Sequence, residues 1–222
     1  MVFKALIFDF DGIITDTEPI HMEAWQGVLE PLGIWFDEEE YRAHYLGCND
    51  RDFLDAVGRI HSHYFSDADK ARLIEQKAVA SRNLLEHDIP LLPGVADFVA
   101  AAADHYLLAI CSGASKGEIE FILHRLKWEK RFDPIVAGES VKRGKPDPEG
   151  YIRALEGLQE RADEIILPEH CLAVEDSPKG VLAARAAGLR CLAVGNSYPA
   201  EDLSGANWVV GSLAEVELET LS

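Results

Sequence analysis

Phe8-Asp9-Phe10-Asp11-Gly12-Ile13-Ile14-Thr15-Asp16-Thr17 is the stretch that decides the fold of this chain. It grows out of Val2 to Phe8, an apolar run of β-favouring residues interrupted only by Lys4. That run is too short for a helix and ends at a turn signal, so it reads as a buried strand. Asp9 and Asp11 then stand two residues apart, and a glycine follows. Carboxylates this close repel unless a cation lies between them or one keeps its proton. A divalent metal answers the repulsion, and hard aspartate oxygens suit Mg2+. The plainer alternative is a polar strand-to-loop turn in which an aspartate only caps.

Working outward, the next seventy residues carry helix signals and no strand signal. Glu18 to Leu32 has apolar residues along one broad face and stops at Gly33; Asp37 to Tyr45, Asp50 to His63 and Asp67 to His87 follow, the last capped by Ser66 or Asp67. Ile89-Pro90-Leu91-Leu92-Pro93-Gly94 is a stiff connector, because its prolines limit φ and resist helix. Beyond it the pattern changes. Strands are expected at Tyr106 to Cys111, Pro134 to Ala137, Cys171 to Val174, Cys191 to Val194 and Trp208 to Val210. Helices are expected at Val95 to Ala103, Glu118 to Leu126, Asp147 to Leu158, Lys179 to Ala187 and Leu213 to Leu218. Such alternation predicts an α/β fold, a Rossmann-like parallel sheet with helices on both faces. The first strand shares the character of that sheet. The expected organisation is therefore a core domain of residues 1–16 and 90–222, with an α-helical domain, 17–89, inserted into it.

Composition narrows the function classes. At 222 residues, 48% of them hydrophobic, the chain can bury a real core. A net charge of −18 disfavours nucleic acid and anionic membrane as partners. It permits an anionic small substrate, since a lysine and a metal can reverse the field inside a cleft. No apolar stretch approaches the roughly 20 residues of a spanning helix, and the N-terminus has no secretory pattern. Cys48, Cys111, Cys171 and Cys191 form no C-x-x-C pair, so zinc is not expected and reduced thiols in a cytoplasmic protein are.

Polar groups stand after four strands: Asp9 and Asp11; Ser112 with Gly113; Lys145 in Gly144-Lys145-Pro146-Asp147-Pro148; and Glu175-Asp176. In open α/β sheets the ligand crevice lies at the carboxyl ends of the strands, where these groups would converge. Each has a plainer reading alone: Ser112 as a helix N-cap, Lys145 as a solvated loop lysine, Glu175-Asp176-Ser177 as a capping cluster. Their order along the chain, each after a strand, speaks for a site.

The set Asp-x-Asp-Gly, Ser, Lys-Pro and Glu-Asp-Ser resembles the haloacid dehalogenase superfamily, and the helical insert resembles the cap of its β-phosphoglucomutase-like phosphatases. The resemblance covers essentially the whole chain. It implies that Asp9 attacks phosphorus to give an aspartyl-phosphate, and that Asp11 protonates the leaving oxygen and then deprotonates water. It implies Mg2+ held by Asp9, the Asp11 carbonyl and Asp176, with Glu175 near or through water. Ser112, Gly113 and Lys145 would bind the phosphoryl oxygens. Asp11 argues for phosphate esters over the superfamily's dehalogenases, which need no acid there. The resemblance also implies a cap closing over the cleft through hinges near residues 15–18 and 85–90, with specificity from residues 47–51.

Thr17, His21, Arg51 and Lys116 match positions that serve the phosphomutases of the group. Arg51 and Lys116, however, each sit one place later than the mutase pattern, and Gly117 replaces an expected asparagine. Lys77 reads as a solvated helix lysine, with a reach toward the site from the fourth helix as the alternative. These departures favour a phosphatase, expected to depend on Mg2+ and to act on a small phosphorylated metabolite such as a sugar phosphate; a monomer is expected because the cap needs room to move. A hexose phosphomutase is the alternative, and a non-catalytic phosphometabolite-binding protein a more distant one.

Overall fold

The computed structural model describes residues 3–46 and 48–221. Val2 of the first expected strand, and Gly47 of the expected specificity loop, lie outside the described residues. The chain divides into two compact units, Met1–Asp16 with Pro90–Ser222, and Thr17–Ile89.

The discontinuous unit is built on six strands: β1 (Ala5–Phe8), β2 (Leu107–Cys111), β3 (Ile135–Val136), β4 (Cys171–Glu175), β5 (Arg190–Val194) and β6 (Trp208–Val210). They form one sheet in the order β3-β2-β1-β4-β5-β6, every pairing parallel. All four β1 residues are buried, which is why the strand reads as a continuous apolar run. Period 2 sends its side chains to opposite faces. Ala5 and Ile7 join a core with Tyr151, Ala154, Leu158 and Val181. Phe8, on the other face, meets Phe98 and Phe132 edge to face at 5.9 and 5.5 Å. Each buried Ile, Leu or Phe here contributes roughly 1.5–3 kcal/mol.

The second unit is helical: α1 (Glu18–Leu29), α2 (Glu38–His44), α3 (Asp50–Ile60) and α4 (Asp67–His87). Asp37, Asn49 and Ser66 cap the last three, and Ser66 and Asp69 complete a capping box. The core of this unit is aromatic, with Trp25 stacked on Phe53 at 4.5 Å and Phe36, Tyr41 and Tyr45 around them. Two helices end earlier than expected. α1 stops at Leu29 and tightens into a 3-10 turn over Glu30–Leu32 before Gly33 turns left-handed. α3 stops at Ile60, because Ser62 takes a left-handed φ of 53°. Lys77, expected in solvent, is buried: it pairs with Asp50 at 3.0 Å and lies over the Trp25 ring. Its aliphatic stem suits the apolar side of α4, and Asp50 answers its charge.

Among the described residues, four α-helices complete the sheet unit: α5 (Val95–Ala103), α6 (Lys116–Leu126), α7 (Glu149–Gln159) and α8 (Pro178–Ala186). α6 begins at Lys116, two residues before the expected Glu118, because Ser115 caps it; Ser112, three residues earlier, is not its cap. The expected helix over Leu213 to Leu218 is instead two 3-10 turns, Leu213–Glu215 and Leu218–Thr220, separated by extended Val216 and Glu217. Six residues with a β-branched one inside are too few to sustain an α-helical nucleus. Where the helical unit interrupts the sheet unit, the chain ends are tied. The Asp16 amide donates to the Pro90 carbonyl at 3.1 Å, the Thr15 hydroxyl donates to the same oxygen at 2.9 Å, and Thr15 bridges Leu91 antiparallel.

Candidate active site

Register alone brings the polar strand ends together. Phe8 lies level with Ile110 on β2 and with Val174 on β4. Asp9, Ser112 and Glu175-Asp176 therefore leave the sheet at one edge, and the Asp9 amide still donates to Val174 O at 2.9 Å. Asp9 is buried there. Its Oδ1 accepts from the Phe10 amide at 2.7 Å, and its Oδ2 meets Lys145 Nζ at 2.9 Å. Lys145 also reaches Glu175 Oε1 at 2.6 Å. The loop that delivers Lys145 is fastened by Glu149, which accepts from the amides of Lys142 and Arg143 at 3.1 and 3.2 Å.

Glu175 is fully buried, and both its oxygens are engaged by the protein. Oε1 accepts from the Tyr151 hydroxyl at 2.6 Å; Oε2 accepts from the Asp176 amide at 3.2 Å and the Ser177 hydroxyl at 3.2 Å. Gly180 in the first turn of α8 makes room for it, since a Cβ there would lie 1.9 Å from the carboxyl. Asp176 Oδ2 accepts from the Ser197 hydroxyl. Gly12, at φ 78°, passes so close that a Cβ would come 1.9 Å from Asp176 Oδ2. Asp11 is half-buried in the same turn, which Gly12 N closes on Thr15 O at 2.8 Å.

Electrostatics shows what charge the site can accommodate. Burial pushes the Asp9 carboxyl up to about 6, against the pull of Lys145 and aided by the charge of Glu175. Burial likewise pushes Asp176 up to about 7, with the charge of Asp9 next in weight. Burial opposes the charge on Lys145, but Asp9 and Glu175 outweigh it and raise its pKa, so it stays an ammonium. Cys111, beside Ser112, is driven up to about 12 by burial and is no thiolate. Oxygens of Asp9, Glu175 and Asp176 gather within 4.8 Å of one another. Three carboxylates against one ammonium leave an excess of negative charge, and their hard oxygens fit a divalent cation such as Mg2+.

The phosphate-binding turn expected at Ser112 is compact. The Ser112 hydroxyl accepts from the Ala114 amide at 3.1 Å, and Gly138 donates to Ala114 O at 3.0 Å. A Cβ on Gly138 would lie 2.4 Å from Gly113 O, so the turn needs a glycine beneath it. Gly113 itself is exposed. The Lys116 side chain is exposed and lies 3.7 Å from Glu120 on its own helix, while its amide donates to Glu139 at 2.9 Å. The remaining expected residues belong to the helical unit. Thr17 Oγ1 is 3.3 Å from His21 Nε2, and exposed Arg51 lies 3.7 Å from Asp67.

Sequence reasoning missed Tyr151, Gly180, Asn196 and Ser197. A tyrosine on an apolar helix face looks like core, and single polar residues after β5 carry no motif. Only the run Gly195-Asn196-Ser197 directly after a strand gave a signal that could have been used.

Comparison with known proteins identifies the family. The family model described as haloacid dehalogenase-like hydrolase matches residues 3–188. A phosphorylated carbohydrates phosphatase of Thermotoga maritima is 34% identical over 84% of this chain and 82% of its own. A β-phosphoglucomutase of Bacillus subtilis is 30% identical over 98% of this chain and 93% of its own. The crystal structure of CbbY from Rhodobacter sphaeroides in complex with phosphate superposes with a TM-score of 0.81 at 30% identity, covering 96% of each chain. With its parallel sheet, its four polar strand ends and these relatives, the chain belongs to the haloacid dehalogenase-like hydrolases.

Proposed function

We propose that the protein is a Mg2+-dependent phosphatase that hydrolyses a small phosphomonoester, of the sugar phosphate class, through an aspartyl-phosphate. The observation that carries this reading is Asp9 itself: a buried carboxylate at a strand end, 2.9 Å from an ammonium and beside two further carboxylates. Asp9 would attack phosphorus through one carboxylate oxygen, and the bond to the ester oxygen would break. Asp11 would give its proton to that leaving oxygen, then take one from the water that attacks the aspartyl-phosphate, so phosphate leaves and both residues return to their starting states. Lys145 would balance charge on Asp9 and on the phosphoryl group, and the turn at Ser112 and Gly113 would hold phosphoryl oxygens. Asp9, Asp176 and the Asp11 carbonyl would hold Mg2+, with Glu175 beside them; when bound, the ion supplies charge neutralisation at the phosphoryl oxygens. Little else is required, since phosphoryl transfer rests mainly on positioning and charge compensation.

The names of the relatives support a carbohydrate phosphate, because one is a phosphatase of phosphorylated carbohydrates and another a phosphoglucomutase. The helical unit would be the cap that selects it. A single chain carries every residue named, which suits a monomer, and the exposed free thiol of Cys48 suits the reducing cytoplasm. Among the described residues no helix is long and apolar enough to cross a membrane.

The contact between Thr17 and His21 favours a second reading, a phosphomutase, whose control residues these positions resemble. One experiment separates the two. Purified protein with Mg2+, β-glucose 1-phosphate and a trace of glucose 1,6-bisphosphate is followed for glucose 6-phosphate and for free phosphate, beside a panel of sugar phosphates. Free phosphate without isomerisation is expected. Rapid glucose 6-phosphate formation with little free phosphate would make the protein a mutase.

A further inference from the structure

β5 ends at Val194, and the chain turns at once. Gly195 N donates to Val210 O on β6, and Asn196 N folds back on Val194 O, both at 2.9 Å. This fixed turn aims two side chains at loops far away in sequence. The Asn196 carboxamide donates through Nδ2 to Gly12 O at 2.8 Å, and the Ser197 hydroxyl donates to Asp176 Oδ2. Gly12 closes the triangle, since a Cβ on it would lie 1.9 Å from Asp176 Oδ2 and 2.9 Å from Ser197 Oγ. β1, β4 and β5 are neighbours in the sheet, with β4 in the middle. The loops after β1 and β5 thus flank the carboxylate after β4 from both sides.

We infer that Asn196 and Ser197 are positioning residues of the metal site, an inference that rests on the Mg2+ reading above. A carboxylate at a strand end can rotate about two bonds, and only some orientations present an oxygen to a cation also held by Asp9. The Ser197 hydroxyl occupies Oδ2 and selects one of them, leaving Oδ1 without that donor. Asn196 holds the carbonyl of the residue directly after Asp11. Gly12 at φ 78° has no side chain to fix that peptide plane, so the carboxamide supplies the missing restraint. Outer partners that orient metal-binding carboxylates typically change metal affinity or activity by about 10–100-fold when removed.

The test is direct calorimetric titration of the whole protein with Mg2+, without substrate. The proteins compared are the natural chain, Ser197→Ala, Ser197→Thr, Asn196→Ala and Asp176→Asn. Ser197→Ala should weaken Mg2+ binding about tenfold or more, and Ser197→Thr, which keeps the hydroxyl, should recover most of it. Asn196→Ala should lower kcat at saturating Mg2+ more than it raises KM. Melting in EDTA should stay cooperative in the natural chain and in the Ser197 and Asn196 variants, which separates positioning from loss of fold. Ser197→Ala binding Mg2+ as tightly as the natural chain would overturn the inference while leaving the metal reading intact. A natural chain that binds no Mg2+, or Asp176→Asn binding as well as the natural chain, would overturn the metal reading and the inference with it.

Discussion

The Tyr151 hydroxyl and the Lys145 ammonium converge on one oxygen, Glu175 Oε1, each at 2.6 Å, and the Tyr151 ring faces Lys145 Nζ at 5.4 Å. A residue of α7 thus holds both ends of the pair that presents the ammonium to Asp9. Tyr151→Phe keeps the ring and removes one donor from a fully buried carboxylate. It should cost about 1–3 kcal/mol in urea unfolding and lower kcat more than it changes KM. Unchanged stability together with unchanged kcat would show that Lys145 needs no such support.

Asp9→Asn retains the shape of the side chain and removes the carboxylate that would attack phosphorus under the proposed function. Turnover should vanish while the circular dichroism spectrum and cooperative melting persist. Brief incubation of the natural chain with labelled substrate, followed by acid quench, should trap phosphate on the protein; the variant should trap none. Label retained by Asp9→Asn would place the nucleophile elsewhere.

Asp11→Asn should discriminate by leaving group. The p-nitrophenolate ion leaves without a proton, whereas a sugar alkoxide needs one. The loss in kcat/KM should therefore be much larger for a sugar phosphate than for p-nitrophenyl phosphate. Equal losses on both would remove Asp11 from acid catalysis.

The raised carboxyls give a pH dependence of unusual sign. Asp9 moves from 3.8 to about 6 and Asp176 from 3.8 to about 7, so between those values the native state binds more protons than the unfolded chain. Their contribution to stability is fully present below the unfolded value and is lost as pH rises through the folded values. Metal-free protein in EDTA should lose stability through this group as pH rises from about 5 to about 7.5, and the gain in Tm on adding Mg2+ should grow over the same window. A gain independent of pH would mean that the ion does not replace these protons.

Much of this was legible in the residues themselves. The Ala5–Phe8 run announced a central parallel strand, because burial on both faces leaves no polar alternation to read. Ser66 and Asp69 announced the start of α4, because a capping box is a purely local device. Asp9 and Asp176 stood out as candidates because a charge at the end of an apolar strand has few other uses, and Lys145 because it lies in the loop that follows β3. Lys77 was misread because its burial depends on Asp50 and Trp25, partners that no local pattern reveals. Tyr151, Asn196 and Ser197 escaped for the same reason: their contacts are with residues distant in sequence. The short helices failed at their ends, where Ser62 and Val216 override propensity with backbone geometry set by the surrounding fold.

The tie between Asp16 and Pro90 has a consequence for the history of the chain. The two ends of the sheet unit meet in a hydrogen bond and a bridge of their own, so the closure entropy of everything between them is met by backbone pairing that Thr17–Ile89 does not supply. To the sheet, the helical unit is a graft on a finished junction. Such a junction tolerates exchange: one graft can be traded for another without re-registering β1 against β2 and β4, so chemistry and selectivity can evolve on separate pieces of one gene. A chain in which a short Gly-Ser turn joins Asp16 to Pro90 should still fold cooperatively.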